Sequence, residues 1–463
     1  MGSLPAGFSS RVADIVGGPF VLQDAASLER YGADALQRPY PPDLVALPES
    51  TAQIAALARL CSEEHVPMVP RGGGTGYTGG AVPTHGGLVI SLERLNRILE
   101  IDRINLLARV QPNVITGDLQ DAVERLGLFY PPDPASLKQS AIGGNVAECA
   151  GGPRAFKYGT TKRYVLALEA VLPTGEIIHT GSKAVKNVVG YDLTQLLTGS
   201  EGTLAILSEI TLRLIPKPAA RATLLAEFLD VPHAVDGVTQ LIERGVVPAV
   251  VEIVDAASLA ALASHAGRPM ASAGAGAVLL IEVDGWPEAV EAESAAVLDA
   301  CRAAGAVKLR RAESEAERSD IWELRRELSP ALRQISALKL NNDVVVPRGR
   351  VAELFELVEG IRAASGLPIA SFGHAGDGNI HVNIMVPPDD SDARRRADAA
   401  VRNLFEGVVA LEGSITGEHG IGFTKAPFLD LELSPAEIAL MKRVKSAFDP
   451  AGILNPGKIF ADG

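Results

Sequence analysis

The sequence predicts an α+β protein with more than one domain, and three observations lead to this fold class. The chain has 463 residues, too many for one compact core, and 47% are hydrophobic and 21% charged, as in folded globular proteins. Between Pro39 and Pro218 short apolar runs alternate with helical patterns, which is typical of a mixed α/β domain. After Pro218 the pattern changes to repeated strand-helix-strand units, so a second domain is expected there.

The first domain contains one clear helix among several strands. The helix is predicted from Thr116, a candidate N-cap, to Gly127, a candidate C-cap, because apolar residues recur at helical spacing from Leu119 onward. The predicted strands are Leu88–Ile90, Leu107–Val110, Val165–Val171 and Ile177–Ile178.

The second domain begins with two β-α-β units in succession, which together give the ferredoxin-like arrangement. The first unit comprises strand Leu224–Phe228, helix Val235–Arg244 and strand Ala249–Val254. The second unit comprises strand Val278–Val283, helix Pro287–Ala304 and strand Val307–Leu309.

The C-terminal part is glycine-rich from Phe372 to Gly422 and then forms a final helix. Ser434 and Glu437 make a capping box with proline at the first helical position, so the helix is predicted to begin there. The turn-rich tail after Phe448 is expected to fold back on the first domain.

Charge and cysteine content exclude several classes of partner and site. The net charge of −13 would repel a nucleic-acid backbone, so no nucleic-acid partner is expected. Cys61, Cys149 and Cys301 lie far apart without CxxC spacing, so neither an iron-sulfur cluster nor a cysteine zinc site is expected. Neither a signal peptide nor a run of eighteen apolar residues is found, and a cytoplasmic location is expected.

The segment Gly72–Gly80 has six glycines in nine residues and follows an apolar strand. Successive backbone N–H groups of such a loop can turn inward around an anion, and a pyrophosphate suits it. The spacing fits neither a Walker loop nor a Rossmann fingerprint. The alternative is a flexible surface loop.

Further segments rich in small residues lie in the same domain, at Pro131–Ser136, Ala141–Asn145, Ala150–Pro153 and Leu197–Leu204. Each alone is compatible with an ordinary turn. Together with the glycine-rich loop they predict a long dinucleotide bound across the domain.

A group of polar residues in the C-terminal part predicts a metal site. His374 and His381 flank a tight glycine-containing turn, so both imidazoles can converge on one point. With Glu418 they would form a site of two histidines and one carboxylate with an open position, as expected of catalytic zinc or a similar divalent ion. Asn383 lies two residues beyond His381 on a predicted strand and hence on the same face. The alternative is that these are polar core residues that satisfy turns.

Two further residues are candidates for proton transfer and anion binding. His419 would point away from a metal held by Glu418 and could accept a proton near neutral pH. Arg325 lies in a helical pattern, where it either faces solvent or grips a substrate carboxylate with its planar fork.

The motifs resemble the FAD-linked oxidase family of the vanillyl-alcohol oxidase type, in the branch of D-lactate dehydrogenase, D-2-hydroxyglutarate dehydrogenase and the glycolate oxidase catalytic subunit. The resemblance runs from about Arg38 to Phe460. It is carried by Pro70–Gly76, Pro131–Pro134, Ile142–Glu148, Gly199–Gly202, Gly373–His381, Gly417–Gly420 and Leu454–Lys458.

The resemblance implies a three-part organisation. A two-subdomain FAD-binding domain of PCMH type is expected at residues 1–217, a ferredoxin-like α+β cap over the substrate at 218–413, and a C-terminal segment at 414–463. That last segment is expected to complete both the active site and the FAD domain.

The resemblance also implies roles for individual residues. FAD is expected to bind without a covalent link, because covalently linked relatives carry a histidine where Thr75 stands. The implied metal ligands are His374, His381 and Glu418, and the implied catalytic residues are His419, Arg325, Asn383 and Lys339. The implied FAD-binding residues are Pro70, Arg71, Gly72, Gly73, Gly74, Thr75, Gly76, Thr78, Gly79, Pro132, Asp133, Ser136, Gly143, Gly144, Asn145, Ala147, Gly151, Tyr158, Glu201, Gly202, Ile206 and Asn455.

One position departs from the family pattern. In the hydroxyglutarate enzymes a lysine comes shortly before the position of Asp343, whereas here Lys339 lies near it with different spacing.

The resulting hypothesis is an FAD-dependent dehydrogenase that oxidises a small D-2-hydroxy acid of the lactate, glycolate or 2-hydroxyglutarate class beside a divalent metal ion. Zinc is the expected metal, with manganese and iron as alternatives. His419 would take the hydroxyl proton while a hydride passes to flavin N5. The alternatives are a metal-dependent hydrolase and a non-catalytic flavin-binding subunit.

Electrons would leave to a quinone, a cytochrome or an electron-transferring flavoprotein, since the sequence supplies no second redox centre. The alternative acceptor is dioxygen. The expected assembly is a homodimer or a subunit of an oxidase complex.

Overall fold

The computed structural model describes residues 4–336 and 338–461. Residues 1–3, which bear on the prediction about a signal peptide, lie outside this part. In the described residues the α-helices are α1 (Phe8–Val16), α2 (Ala25–Tyr31), α3 (Thr51–Glu64), α4 (Thr116–Glu124), α5 (Ile142–Glu148), α6 (Ala155–Tyr158), α7 (Leu193–Leu197), α8 (Val231–Glu243), α9 (Ala256–Ala266), α10 (Pro287–Ala303), α11 (Glu315–Arg326), α12 (Leu328–Ile335), α13 (Val351–Ser365), α14 (Ser391–Ala410), α15 (Leu429–Glu432) and α16 (Pro435–Phe448).

The strands of the same residues are β1 (Val21–Leu22), β2 (Leu44–Ala46), β3 (Met68–Arg71), β4 (Leu88–Ser91), β5 (Ile98–Asp102), β6 (Leu107–Val110), β7 (Leu128–Phe129), β8 (Val165–Val171), β9 (Ile177–Gly181), β10 (Ile206–Arg213), β11 (Ile215–Pro216), β12 (Ala220–Phe228), β13 (Val250–Asp255), β14 (Ala277–Gly285), β15 (Lys308–Arg311), β16 (Leu338–Val345), β17 (Ile369–His374) and β18 (Asn379–Val386). The predicted α+β class is thus confirmed.

The chain divides into two compact units. The first unit consists of Met1–Gly151, Thr160–Lys217 and Glu418–Gly463. The second unit consists of Gly152–Gly159 and Pro218–Gly417. Among the described residues, no helix is both long and apolar enough to span a membrane.

In the described part of the first unit, β1 to β4 form one sheet in the order β1-β2-β4-β3, and β5-β6-β10-β8-β9 form a second. Parallel pairing of β2, β4 and β3 buries their side chains on both faces, so these strands are almost wholly apolar. The helices α1 and α3 pack into the same core.

The C-terminal segment Glu418–Gly463 belongs to the first unit. Leu454 forms a parallel bridge with Met68, the first residue of β3. Ile453 and Leu454 are buried in the core of this unit. The capping box of α16 is confirmed, because the side chains of Ser434 and Glu437 each bond the other's backbone N–H.

The described strands of the second unit form one antiparallel sheet in the order β15-β12-β14-β13-β17-β18-β16. The first four strands, with α8 and α10, have the predicted ferredoxin-like order. The sequence did not predict that β17, β18 and β16 extend this sheet.

One local prediction was wrong. Thr116 is the first residue of α4 rather than its N-cap, which is Ile115 and makes no side-chain bond. The hydroxyl of Thr116 bonds instead to the carbonyl of Ser140, because the segments around Ile115 and Ala141 form a bridge.

Candidate cofactor and catalytic residues

The glycine-rich loop begins where β3 ends, and its glycines are required by close packing. A Cβ on Gly73 would lie 2.5 Å from the carbonyl oxygen of Gln139. Gly79 has a φ of +81°, and a Cβ there would lie 2.1 Å from the ring of Phe423. Any side chain at these two positions would displace backbone or a neighbouring ring, so the loop conformation depends on glycine.

Asn455 joins three of the predicted cofactor segments. Its amide nitrogen donates to the carbonyl oxygens of Gly80 and Glu201, both at 2.8 Å. Gly202 has a φ of +64°, and a Cβ on it would lie 2.9 Å from the ring of Pro70. The glycine-rich loop, the segment 199–202 and the C-terminal tail therefore meet at one place in the first unit.

The segment containing α5 is attached to the same place. The backbone N–H of Glu201 donates to the carbonyl of Ala147 at 2.8 Å, and that of Gly199 donates to Val146 at 2.9 Å. The amide of Asn145 donates to Thr116 at 2.7 Å, so this predicted cofactor residue also holds α5 against α4.

Buried polar atoms surround these segments without a hydrogen-bond partner. Among the described residues of the first unit they include Asp34 Oδ2, Arg71 Nη1, Asn113 Oδ1, Glu148 Oε2 and Asn455 Oδ1. A Cβ on Gly144, in α5, would meet nothing within 4 Å, so space is open there. Unpaired buried polar atoms are costly unless a ligand or water satisfies them, so these residues fit a large polar ligand such as FAD.

Three buried carboxyl groups lie in the same region. Burial, followed by repulsion from Glu201 and Asp34, raises the pKa of Glu148 well above 4.5. Burial also raises the pKa of Asp34 to about 6, against the lowering effect of the Leu36 N–H. Burial raises the pKa of Glu201 as well, although its carboxylate accepts the N–H groups of residues 421 and 422, both at 2.7 Å.

The loop carrying Glu418 and His419 is fixed within the first unit. Thr78 donates its hydroxyl to the carbonyl oxygen of His419 at 2.9 Å, and the rings of Tyr77 and His419 lie 5.2 Å apart. Gly151 leaves room for Glu418, because a Cβ there would lie 2.7 Å from Glu418 Oε2. The predicted base is therefore held by its backbone and packs against an aromatic ring.

In the second unit, β18 brings the two predicted histidine ligands together. His381 pairs with Phe372 of β17 and with Asp343 of β16, and His374 ends β17 opposite Glu252. The imidazoles of His374 and His381 have ring centroids 5.3 Å apart at an angle of 86°. Both side chains are buried, and this geometry lets one ring nitrogen from each point to a common centre.

Asp343 is a buried carboxylate beside these histidines that the sequence did not identify as functional. Its Oδ1 accepts the amide of Asn379 at 2.6 Å and lies 3.7 Å from His381 Nδ1. Its Oδ2 accepts the N–H of Gly417 at 2.9 Å. Gly417 has no room for a side chain, since a Cβ would lie 2.2 Å from the Asn379 amide nitrogen.

Arg325 pairs with Glu252, another residue that the sequence did not identify. Arg325 Nε donates to Glu252 Oε2 at 2.5 Å, and its guanidinium lies 4.8 Å from the centre of the Phe372 ring. The other carboxylate oxygen of Glu252 contacts His374 Nδ1. Burial alone would raise the pKa of Glu252, but Arg325 and His374 outweigh it and lower the pKa to about 2.

Asn383 lies on the same face of β18 as His381, as predicted. Its amide nitrogen donates to the carbonyl of His381 at 3.0 Å, while its Oδ1 is buried without a partner. Asn341, directly opposite on β16, also has a buried Oδ1 without a partner. Two unsatisfied amide oxygens beside paired imidazoles fit a cation or a hydroxyl ligand.

The structure also gives the surroundings of Lys339, Tyr158 and Ile206. Lys339 Nζ donates to Ser329 Oγ at 2.6 Å, and burial, with a smaller contribution from Arg333, lowers its pKa to about 8. The hydroxyl of Tyr158 donates to Asp284 at 2.8 Å within the second unit. Ile206 is fully buried in the core of the first unit.

The remaining predicted cofactor residues lie in loops of the first unit and in α5. Gln120 donates its amide to the carbonyl of Pro132 at 2.8 Å, which fixes the segment around Pro132, Asp133 and Ser136. Gly143 packs closely on Pro112, because a Cβ added to Gly143 would lie only 2.6 Å from the proline ring. Thr75 and Gly76 lie between the glycines already described.

The sequence around Glu252 contains a local sign of its role. This glutamate is a lone acid inside the apolar run Val250–Val254, and a charge buried in such a strand requires a cationic partner. Asn113 and Asp34 gave no comparable signal, because a single polar residue in a loop is unremarkable.

Comparisons with known proteins identify the family of the chain. Residues 217–459 match the family model described as FAD linked oxidases, C-terminal domain, and residues 42–181 match the FAD binding domain model. The chain belongs to the FAD-linked oxidase family. It is thereby an FAD-linked oxidoreductase, and the predicted family membership is confirmed.

Two relatives and one structure illustrate the similarity. The glycolate oxidase subunit GlcD of Bacillus subtilis (strain 168) is 45% identical over 91% of this chain and 89% of its own. The D-lactate dehydrogenase of Anaerostipes hadrus is 36% identical over 90% of this chain and 89% of its own. The crystal structure of p-cresol methylhydroxylase has the same fold, with a TM-score of 0.82 at 17% identity over 98% of this chain and 96% of its own.

Proposed function

We propose that this protein is an FAD-dependent dehydrogenase that oxidises a small D-2-hydroxy acid to the 2-keto acid with the help of a divalent metal ion. The observation that carries the proposal is the pair of buried imidazoles, His374 and His381, on the sheet face that Arg325 of α11 contacts through Glu252 and Phe372. The names of its relatives, a glycolate oxidase subunit and a D-lactate dehydrogenase, support a substrate of the 2-hydroxy acid class.

FAD is held by the first unit. The glycine-rich loop 72–80, α5, the segment 199–202 and Asn455 would bind it, and their unsatisfied buried atoms would bond to its polar groups. Thr75 offers no imidazole for a covalent bond, so the link is non-covalent. When bound, FAD supplies the hydride acceptor that the oxidation requires.

His374 and His381 are two of the proposed metal ligands. Glu418 is the third, because it directly follows Gly417, whose N–H is held by Asp343, and consecutive Cα atoms are about 3.8 Å apart. Two imidazoles and one carboxylate suit zinc, and manganese and iron accept the same donors. A divalent cation at this place would lower the pKa of the substrate hydroxyl.

The remaining side chains bind the substrate and move its proton. Arg325 provides the positive charge for the substrate carboxylate in an otherwise acidic protein. Asn383 offers its unsatisfied oxygen to the hydroxyl. His419, held by Thr78 and Tyr77, accepts the hydroxyl proton.

The electrons then leave to a separate acceptor of the quinone, cytochrome or electron-transferring flavoprotein class, either directly or within an oxidase complex. The relative from Bacillus subtilis is itself named as a subunit.

Anaerobic bleaching of the flavin tests the proposal. Purified protein is mixed with D-lactate, glycolate or D-2-hydroxyglutarate, and the flavin absorbance near 450 nm is followed with and without prior chelator dialysis. At least one acid should bleach the flavin, the L-enantiomer of a chiral acid should react far more slowly, and added zinc should restore the rate lost on dialysis.

A yellow protein that none of the acids bleaches would contradict the substrate class. A rate that is unchanged after the metal has been removed would contradict the metal alone and leave the flavin dehydrogenase intact. A colourless protein that cannot be reconstituted with FAD would contradict the cofactor assignment.

A further inference from the structure

Glu252 lies in the middle of the sheet of the second unit, on β13. Its Cα pairs with that of His374 across the β13–β17 ladder, so the two side chains stand side by side on one face. Its side chain is fully buried, with an exposed fraction of 0%. A charge at such a position is retained only when its partners satisfy it completely.

Each carboxylate oxygen of Glu252 has a different partner. Oε2 accepts Nε of Arg325 at 2.5 Å, and Oε1 contacts Nδ1 of His374. An ionised carboxylate only accepts hydrogen bonds, so the neutral imidazole of His374 carries its proton on Nδ1 in this contact. The lone pair of His374 is then on Nε2.

We propose that Glu252 is a positioning residue, which fixes the ring and tautomer of His374 for metal binding and the guanidinium of Arg325 for substrate binding. This inference rests on the proposed metal function. One carboxylate thereby couples the metal ligand to the anion-binding residue. A hydrogen bond from the second nitrogen of a ligating imidazole to a carboxylate fixes the ligand and raises its basicity.

The pairing also determines how Arg325 can act. Its Nε and Nη2 both contact Glu252, and the face of Phe372 lies against the guanidinium. The fork is therefore held in one orientation before substrate arrives, which reduces the entropy lost on binding.

The variant Glu252→Gln tests the proposal, with Glu282→Gln as its matched control. Glu282 is also a buried glutamate of the same sheet and contacts Arg318, Thr223 and Trp322, but no histidine contact is among those described for it. Each variant is dialysed against buffers of graded free zinc concentration, and its zinc and FAD contents are measured.

Glu252→Gln should bind zinc 10-fold to 100-fold more weakly than the unsubstituted protein, the range found for loss of such partners. It should also raise KM for the hydroxy acid more than it lowers kcat, because Arg325 loses its fixed orientation. Glu282→Gln should bind zinc as the unsubstituted protein does, and all three proteins should retain FAD. Equal zinc affinity in Glu252→Gln and Glu282→Gln would overturn the inference.

A measurement on the unsubstituted protein decides the case in which Glu252→Gln fails to fold. The ¹⁵N shifts of His374, identified by their absence in His374→Gln, should report a proton on Nδ1. A proton on Nε2 would overturn the inference. If the unsubstituted protein binds no zinc, the proposed metal function fails, and the same shifts still decide the role of Glu252.

Discussion

His419 is the residue whose proposed role is easiest to isolate. Its backbone carbonyl accepts the bond from Thr78, and alanine keeps that carbonyl. His419→Ala should therefore fold and remain yellow, while the rate of flavin reduction by a 2-hydroxy acid falls about 10²-fold to 10⁴-fold, as expected for loss of a general base. Anaerobic stopped-flow absorbance near 450 nm measures this rate.

The control is His179→Ala, since the side chain of His179 is 72% exposed on β9. It should reduce its flavin at the rate of the unsubstituted protein. Near-normal reduction in His419→Ala would assign the proton transfer to another group.

Asn455 allows a prediction about the binding of FAD rather than about catalysis. Asn455→Ala removes two hydrogen bonds and leaves the buried carbonyls of Gly80 and Glu201 unsatisfied. The free energy of unfolding should fall by about 2–4 kcal/mol, and FAD should be lost during gel filtration. In the control Asn105→Ala the lost bond, to Asp102, is on the surface, so FAD should stay bound. Full retention of FAD in Asn455→Ala would show that the three segments do not depend on this amide.

Single residues were predictable from the sequence only where the pattern around them was unusual. The glycines around Thr75 and the histidines of 374–381 stand in such patterns, and the structure gathers each set within one unit. The partners of Glu252 and Asp343 could not be predicted, because they lie far away in the chain, 122 residues in the case of His374. Local periodicity contains no information about such pairings.

At the scale of elements, α5 offers a test of where FAD lies. Gly144 is a helical glycine with nothing within 4 Å of its missing Cβ. Gly144→Ala should therefore keep or slightly raise the stability of FAD-free protein, by up to about 1 kcal/mol. Its FAD affinity should nevertheless fall, because the methyl group would occupy the space open to the ligand. Thermal unfolding and FAD titration measure the two effects.

Gly360 provides the matched control, as it lies inside α13 with equally open space around it. Gly360→Ala should gain similar stability with no change in FAD affinity. If Gly144→Ala binds FAD as tightly as Gly360→Ala does, the ligand does not approach α5.

Helices and strands with a strong period were predicted within a few residues. The predicted helix Pro287–Ala304 is observed as α10, Pro287–Ala303, and the predicted strand Ala249–Val254 as β13, Val250–Asp255. The joining of β17, β18 and β16 to the same sheet was not predicted. Pairing of strands separated by more than a hundred residues depends on tertiary packing, which period-2 patterns do not specify.

At the scale of the whole molecule, buried carboxyl groups make stability depend on pH. A Cβ added to Gly420 would lie 2.3 Å from Glu148 Oε2 and 2.9 Å from Glu201 Oε1. Both carboxyl groups therefore border the same small buried space. Two carboxylates so close together cannot both ionise without a large cost. The raised pKa of Asp34, about 6, reflects burial in the same unit and adds to this dependence.

The direction of the pH dependence follows from Glu148. Its pKa in the folded protein lies well above the 4.5 of an exposed glutamate, so the folded state keeps a proton that the unfolded chain releases. The stabilising contribution is complete below pH 4.5 and is lost as the pH rises through the folded pKa. Glu148→Gln cannot ionise, so FAD-free Glu148→Gln should be more stable than the unsubstituted protein at pH 8. The two proteins should converge near pH 4, and the exposed control Glu29→Gln should follow the unsubstituted protein at every pH. Denaturant unfolding between pH 4 and pH 8 measures the difference. Parallel curves for Glu148→Gln and the unsubstituted protein would mean that folding does not raise the pKa of Glu148.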